Sequence, residues 1–167
     1  MAGTSGLTKV GIVGSGIMGA GIVEVVATAG FDVIVRARTE EGAAAVVAQV
    51  ASRLARSVER GRLEQAEADA VIARITHTSH LGDLAGCDLA LETVIEHLEV
   101  KRRLVGELDE ILDPAAVIAT NTSTLAVVEL AVATSRPDRV CGLHFFNPAT
   151  AMPLVEVVSP VTVAEST

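Results

Sequence analysis

Several things are scarce in this sequence, and each scarcity excludes a class of function. Among 167 residues there is no Trp, no Tyr and only three Phe. Few flat rings are therefore on offer for stacking nucleobases. Acids outnumber bases 21 to 13, for a net charge of −8. A chain of that sign is repelled by a polyphosphate backbone, so no nucleic-acid partner is expected. No apolar run approaches the roughly 18 residues of a membrane helix, so no membrane partner is expected. The opening MAGTSGLTKV has no charged-then-apolar leader, which argues against secretion. Only two cysteines occur, Cys87 and Cys141, far apart and without a CxxC or a Cys/His pairing. That excludes a disulfide scaffold and the usual zinc patterns, so no metal is expected, and it suits a reducing cytoplasm. Lysine is rare too, with eleven Arg against two Lys, a bias of composition rather than of function.

What the chain has is apolar residues, half of the total, ample for a buried core. The length suits one domain, with residues 1–8 as a loose tail and 9–167 as the folded unit. Short apolar runs predict strands at Lys9–Val13, Asp32–Arg36, Ile75–Thr78, Asp88–Glu92, Val117–Thr120, Val140–Phe145 and Leu154–Val158. Helical periodicity fills the gaps. It runs over Ile17–Ala29, then through Ala43, Val47, Val50, Leu54 and Val58, then Glu64–Ala73, then Val100 to Ile111, then Leu125–Thr134. Thr39 with Glu40 and Glu41 marks the start of the second helix. Strands apolar on both faces, alternating with helices, predict an α/β fold: a Rossmann-type, doubly wound, mostly parallel sheet with helices on both faces.

The first strand runs into Gly14-Ser15-Gly16-Ile17-Met18-Gly19, a GxGxxG at the mouth of a helix. In that setting Gly14 makes the tight turn, Gly16 lets backbone approach a pyrophosphate, and Gly19 lets helix and strand pack closely. The helix start adds free N–H groups and the positive end of a dipole. A dinucleotide, NAD or NADP, is the expected ligand. An acid normally follows about 20 residues on, to hold the ribose 2′-OH. Here Arg36-Ala37-Arg38 stand there, and no acid comes before Glu40. Arginine pairs with a 2′-phosphate where a carboxylate repels it, so the sequence favours NADP. The alternative is that both arginines face solvent and NAD is bound.

Three segments end at the carboxyl edge of the sheet, where such folds bind ligands: Asn121-Thr122-Ser123-Thr124, His144-Phe145-Phe146-Asn147-Pro148, and the strand around Glu156. GSGIMGAG, ETVIEHLEVK, ATNTSTL, GLHFFNP and MPLVEVV together resemble the 3-hydroxyacyl-CoA dehydrogenases, in particular the short bacterial 3-hydroxybutyryl-CoA dehydrogenases. The resemblance runs from Val10 to about Pro160. It implies an oxidoreductase that moves hydride between NAD(P) and C3 of a short 3-hydroxyacyl-CoA, in fatty-acid or butanoate metabolism. It makes His144 the general base or acid, Glu156 its partner, and Ser123 the contact to the substrate oxygen and nicotinamide. It also places Glu96, Lys101 and Asn147 at the cofactor. The residue types suit these roles. Histidine is the side chain that ordinarily titrates near neutrality. A Glu inside VEVV is costly if buried unpaired, and a buried pair of His144 and Glu156 would satisfy both. The alternative for Ser123 is to cap the helix that follows, which would not exclude the catalytic role. His77, His80 and His97 lack any such setting and are expected to be solvated.

The coenzyme A part of the substrate is anionic, so local cations must oppose the overall charge. Arg53 and Arg60 share one face of the second helix, which binds the CoA end in the family, or they form an ordinary solvated face. The family carries a helical domain after the nucleotide domain, which adds an asparagine to the active site, covers the acyl chain and forms the homodimer. The sequence ends at Thr167, with Thr162–Thr167 resembling the start of a further helix. The 9–167 unit is thus expected to be incomplete at its C-terminal end, without that helical domain. The competing reading is a nucleotide-binding module without turnover, such as a redox sensor or a crystallin-like relative.

Overall fold

The computed structural model describes residues 6–167. The expected tail spans 1–8, of which residues 1–5 lie outside the described residues. Leu7 packs against the core, and Asp88 accepts from the amide of Thr8 at 2.7 Å and from that of Lys9 at 2.8 Å. The tail is therefore tied down by its last two residues.

The elements are β1 (Lys9–Val13), α1 (Ile17–Thr28), β2 (Asp32–Arg36), α2 (Glu40–Glu59), α3 (Gln65–Ala73), β3 (Ile75–Thr78), β4 (Leu89–Glu92), α4 (Leu98–Ile111), β5 (Val117–Thr120), α5 (Val127–Ala131), β6 (Val140–Phe145) and β7 (Val155–Val158). They build a seven-stranded sheet in the order β3-β2-β1-β4-β5-β6-β7. All neighbours are parallel except β6 and β7, which pair antiparallel. The order reverses between β1 and β4. That switch point opens a crevice at the carboxyl ends of the strands.

Local chemistry accounts for the helices. Four of the twelve residues of α1 are Gly or Ala, and its Gly19, Ala20, Gly21, Ile22, Val23 and Ala27 are buried. It lies close against the sheet because small residues permit it. In α2 the side chain of Thr39 accepts from the amide of Gly42 at 3.1 Å, and Glu40 and Glu41 sit in the first turn. Its buried stripe is Ala43, Val46, Val50 and Leu54, and Val47 and Val58 pack against the same core partly buried. A reciprocal Glu64–Glu67 capping box opens α3. Leu104, Val105 and Leu108 of α4 cover the other sheet face with Leu130 and Ala131 of α5.

Three departures from expectation have local causes. The helix expected over Leu125–Thr134 is only Val127–Ala131, because side chains outside it hold the preceding loop. Strand β7 is not buried: Val155, Val157 and Val158 are 39%, 68% and 41% exposed, since it is the sheet edge. Residues Thr162–Thr167 form turns, with the Ala164 amide donating to the Asp138 carbonyl at 3.0 Å. Val163 of this segment packs partly buried against the core.

Candidate active site

The glycine loop links β1 to α1 over the switch point. Gly14 has φ +135°, and a Cβ there would stand 2.4 Å from Thr93 Oγ1. At Gly19 a Cβ would lie 2.3 Å from the Gly14 carbonyl oxygen. At Gly16 a Cβ would meet nothing within 4 Å. Two glycines are thus required by the protein itself, and the third faces open space. Gly16 caps α1 without a side chain, and the first turn carries no acid. Its amides are free for an anion. Ser15 is exposed, Ile17 is 74% exposed and Met18 is half-buried.

A cleft of about 370 Å³ runs from this loop along the end of β2. Gly14, Ser15, Gly16, Arg36, Ala37 and Arg38 form one wall. Ala37 is buried, and its amide donates to the Thr78 carbonyl, so the position usual for an acid is an apolar floor. Arg36 Nε donates to the Ser79 carbonyl at 3.2 Å, whereas Arg38 is exposed. Glu40, the first acid after β2, lies 3.2 Å from His77 and does not line the cleft. The other wall is Val94, Ile95, Val100, Arg103 and Glu107. Sequence reasoning did not single out Ile95 and Glu107, and it counted Val100 in the apolar stripe of α4, whereas Val100 is 40% exposed and lines the cleft.

His144 and Glu156 face each other in the β6–β7 register, with Nδ1 and Oε2 2.8 Å apart. A carboxylate only accepts, so Nδ1 carries the proton. Nε2 makes no hydrogen bond among the described residues. The His144 ring rests on Phe146, centroids 4.6 Å apart. The expectation that this pair is buried is corrected: the Glu156 side chain is 53% exposed and that of His144 18%. Edge strand β7 leaves the carboxylate open to solvent.

The buried carboxylate is instead Glu92, at the end of β4, with no exposure. Lys101 Nζ lies 2.7 and 2.8 Å from its two oxygens. Thr120 Oγ1 and the Val94 amide also donate to it. An unpaired ion here would cost about 3–5 kcal/mol, so the pair is obligatory once either member is present. A glutamate ending the apolar run DLALE was the signal for it. Lys101 is 1% exposed, so it sits beneath the cleft and does not present its ammonium to it.

Glu96 is the link to Ser123. Its Oε1 accepts from the Thr122 hydroxyl, the Ser123 and Thr124 amides (both 3.2 Å) and the Thr124 hydroxyl (3.1 Å). Its Oε2 lies 3.4 Å from Lys101 Nζ. Partial burial alone would raise its pKa. The Thr122 hydroxyl, the Lys101 charge and the Thr124 donors outweigh that and bring it down to about 2. Ser123 is exposed and does not cap α5. The turn is closed by Thr122 Oγ1, which accepts from the Leu125 amide at 3.0 Å. Asn121 Oδ1 accepts from the Phe145 amide at 2.8 Å. That bond ties the serine loop to the strand end that carries His144. Asn147 is exposed just beyond it, before a cis bond to Pro148.

The arginines offered for coenzyme A differ. Arg53 is ion-paired with Glu24 and donates to the Ala20 carbonyl at 2.7 Å, so it braces α2 against α1. Arg60 is exposed at the C-terminal end of α2.

Comparison with known proteins supports the fold. Residues 9–167 match the family model described as 3-hydroxyacyl-CoA dehydrogenase, NAD binding domain. The chain is 38% identical over 161 residues to a 3-hydroxybutyryl-CoA dehydrogenase of Bradyrhizobium diazoefficiens, covering 96% of this chain and 55% of that protein. It is 40% identical to the Mycobacterium tuberculosis 3-hydroxybutyryl-CoA dehydrogenase, over 96% of this chain and 56% of the relative. The crystal structure of the Escherichia coli K12 3-hydroxybutyryl-CoA dehydrogenase superposes with a TM-score of 0.94 at 38% identity, over 96% of this chain and 34% of that one. The Ralstonia eutropha (S)-3-hydroxybutyryl-CoA dehydrogenase gives 0.93 at 34% identity, over 96% and 56%. The chain thus spans little more than half the length of the two sequence relatives. By its glycine loop, its sheet and this match along residues 9–167, the chain belongs to the 3-hydroxyacyl-CoA dehydrogenase NAD-binding domain family.

Proposed function

We propose that the protein carries out reversible hydride transfer between NAD(P) and C3 of a short-chain 3-hydroxyacyl-CoA. The observation that carries this reading is the His144–Glu156 pair, 2.8 Å apart at the carboxyl edge of a nucleotide-binding sheet. The space at Gly16 and the uncapped start of α1 fit a pyrophosphate. When bound, the nicotinamide is the hydride carrier. In oxidation, His144 takes the 3-hydroxyl proton at Nε2. Glu156 holds Nδ1–H and steadies the cation that forms. In reduction His144 returns that proton. Ser123 donates to the substrate oxygen, and Asn147 and Glu96 would contact the cofactor when it is bound. Ile95 and Val100 give a flat ring an apolar wall. Arg60, exposed at the C-cap of α2, is offered for the CoA phosphates.

NADP is the favoured dinucleotide. Arg36, Arg38 and Arg103 line the cleft, Glu107 is its one carboxylate, and Ala37 replaces the usual acid. The free thiols of Cys87 and Cys141 suit a reducing cytoplasm, and no helix among the described residues is long and apolar enough to cross a membrane.

The test is acetoacetyl-CoA with NADPH or NADH, followed at the nicotinamide absorbance band. Turnover is expected with a lower KM for NADPH, and a strong NADH preference overturns the arginine argument. His144→Gln should abolish turnover and leave cofactor binding unchanged. Retained turnover removes the base assignment, and tight cofactor binding without any turnover in the wild type favours a module that only binds.

A further inference from the structure

We infer that Glu92 and Lys101 are positioning residues, and that they act through Glu96 to hold the loop that presents Ser123. This rests on the reading of Ser123 as the donor to the substrate oxygen. The contacts form one continuous path. Glu92 is held from three sides: by Lys101 of α4, by the Thr120 hydroxyl of β5 and by the Val94 amide. Lys101 Nζ is shared between Glu92 and the Oε2 of Glu96 at 3.4 Å. The other oxygen of Glu96 gathers the amides of Ser123 and Thr124 and the hydroxyls of Thr122 and Thr124. Thr120 Oγ1 also accepts from the Thr122 amide at 3.2 Å, so the loop is gripped from below and from the side. Its last tie is Asn121 to the Phe145 amide, next to His144.

The fold by itself does not call for this arrangement. A buried ion pair is expensive to desolvate, and apolar residues of similar volume commonly hold a core as well or better. An apolar pair could not orient a carboxylate at the rim of the cleft. Glu96 must stay ionised and aimed at four donors, and an ammonium pinned beneath it by a second carboxylate does both. Loops that carry reacting groups need such support, because small displacements there are costly to rate. The path explains why Lys101 is buried although the cofactor cleft is close by. Its influence on the site passes through Glu96.

The experiment cuts the path at both ends and reads it by amide hydrogen exchange and by kinetics. Lys101→Met alone strands a buried carboxylate, so the inner cut is Glu92→Gln with Lys101→Met, which removes both charges and keeps an acceptor for the Val94 amide. The outer cut is Glu96→Gln. In both, exchange at Ser123 and Thr124 should rise about tenfold or more, while Ile118–Thr120 stay within about twofold. With acetoacetyl-CoA and NADPH, kcat should fall about 10- to 100-fold with little change in the acetoacetyl-CoA KM. Lys101→Arg, which keeps the charge, should recover part of it. If the outer cut loosens the loop and the inner one does not, the inference is overturned. It is equally overturned if the double variant fails to fold, since the pair then serves the fold. If exchange responds as expected but Ser123→Ala leaves kcat unchanged, the serine assignment fails and the positioning path stands.

Discussion

Alanine at Gly16 and alanine at Gly19 should separate ligand binding from folding within one loop. A Cβ on Gly19 would lie 2.3 Å from the Gly14 carbonyl oxygen and 2.9 Å from Thr93 Oγ1. Ordinary contact needs a further 1 Å or so, and the atom in the way is backbone. Overpacking of this kind costs about 1–3 kcal/mol. For a chain of this size each kcal/mol lowers Tm by about 2–4 °C, so Gly19→Ala should lose roughly 2–12 °C. At Gly16 the φ is −75° and a Cβ meets nothing within 4 Å. Losing a favourable cap residue and restricting the unfolded chain are opposing effects of about 0.5–1 kcal/mol each. Tm should therefore move by no more than about 2 °C. The new methyl does occupy the space a pyrophosphate needs. Losing one charge-assisted hydrogen bond is worth about 1.5–3 kcal/mol, or roughly 10- to 100-fold in Kd. Thermal melts of the free protein and NADPH fluorescence titrations measure both quantities. Saturating cofactor should raise the wild-type Tm and barely move that of Gly16→Ala. A Gly16→Ala protein that binds like the wild type, or that melts as early as Gly19→Ala, would refute the phosphate-loop geometry.

Three further outcomes are expected. Glu156→Gln should lower kcat by about 10²- to 10⁴-fold and leave Tm and NADPH affinity unchanged, because the carboxylate is more than half exposed; a fall in Tm of comparable weight would make the pair structural. Glu96 has its pKa lowered from an ordinary 4.5 to about 2. Its ionised form is favoured by the fold, so its contribution is complete above pH 4.5 and disappears as pH falls to about 2. Urea midpoints of wild type and Glu96→Gln should differ most near pH 6 and converge near pH 2, and a constant gap would contradict the assignment. Burial pushes the thiols of Cys87 and Cys141 up to about 11, so native protein at pH 8 should react with a disulfide reagent only as fast as it opens, and rapid labelling would place either cysteine at the surface.

Much of the site was legible because its chemistry is concentrated in short runs. GSGIMG, RAR, NTST and HFFNP each put the residues they need within a few positions of one another, at the end of a predicted strand. By contrast, the cost of burying a carboxylate falls on Glu92 and not on Glu156. VEVV and LALE look alike in one dimension: each is an apolar run with one acid. Only strand order separates them, since β7 lies at the edge and β4 is the central strand. Tertiary contact likewise hid Lys101, whose helix could have turned it outward as easily as under the cleft, and shortened α5, whose preceding loop is held by Glu96 from another segment.

Local sequence, through periodicity and glycine placement, determined that this chain alternates strand and helix, that its sheet is mostly parallel, and that a dinucleotide loop opens its first helix. These follow from spacing along the backbone, which folding does not change. Tertiary structure alone decided which carboxylate is buried, that His144 meets Glu156 across an antiparallel edge pair, and that Glu92, Lys101 and Glu96 line up under Ser123. Those depend on which strands become neighbours, a choice settled by the summed burial of the whole sheet and not by any one segment.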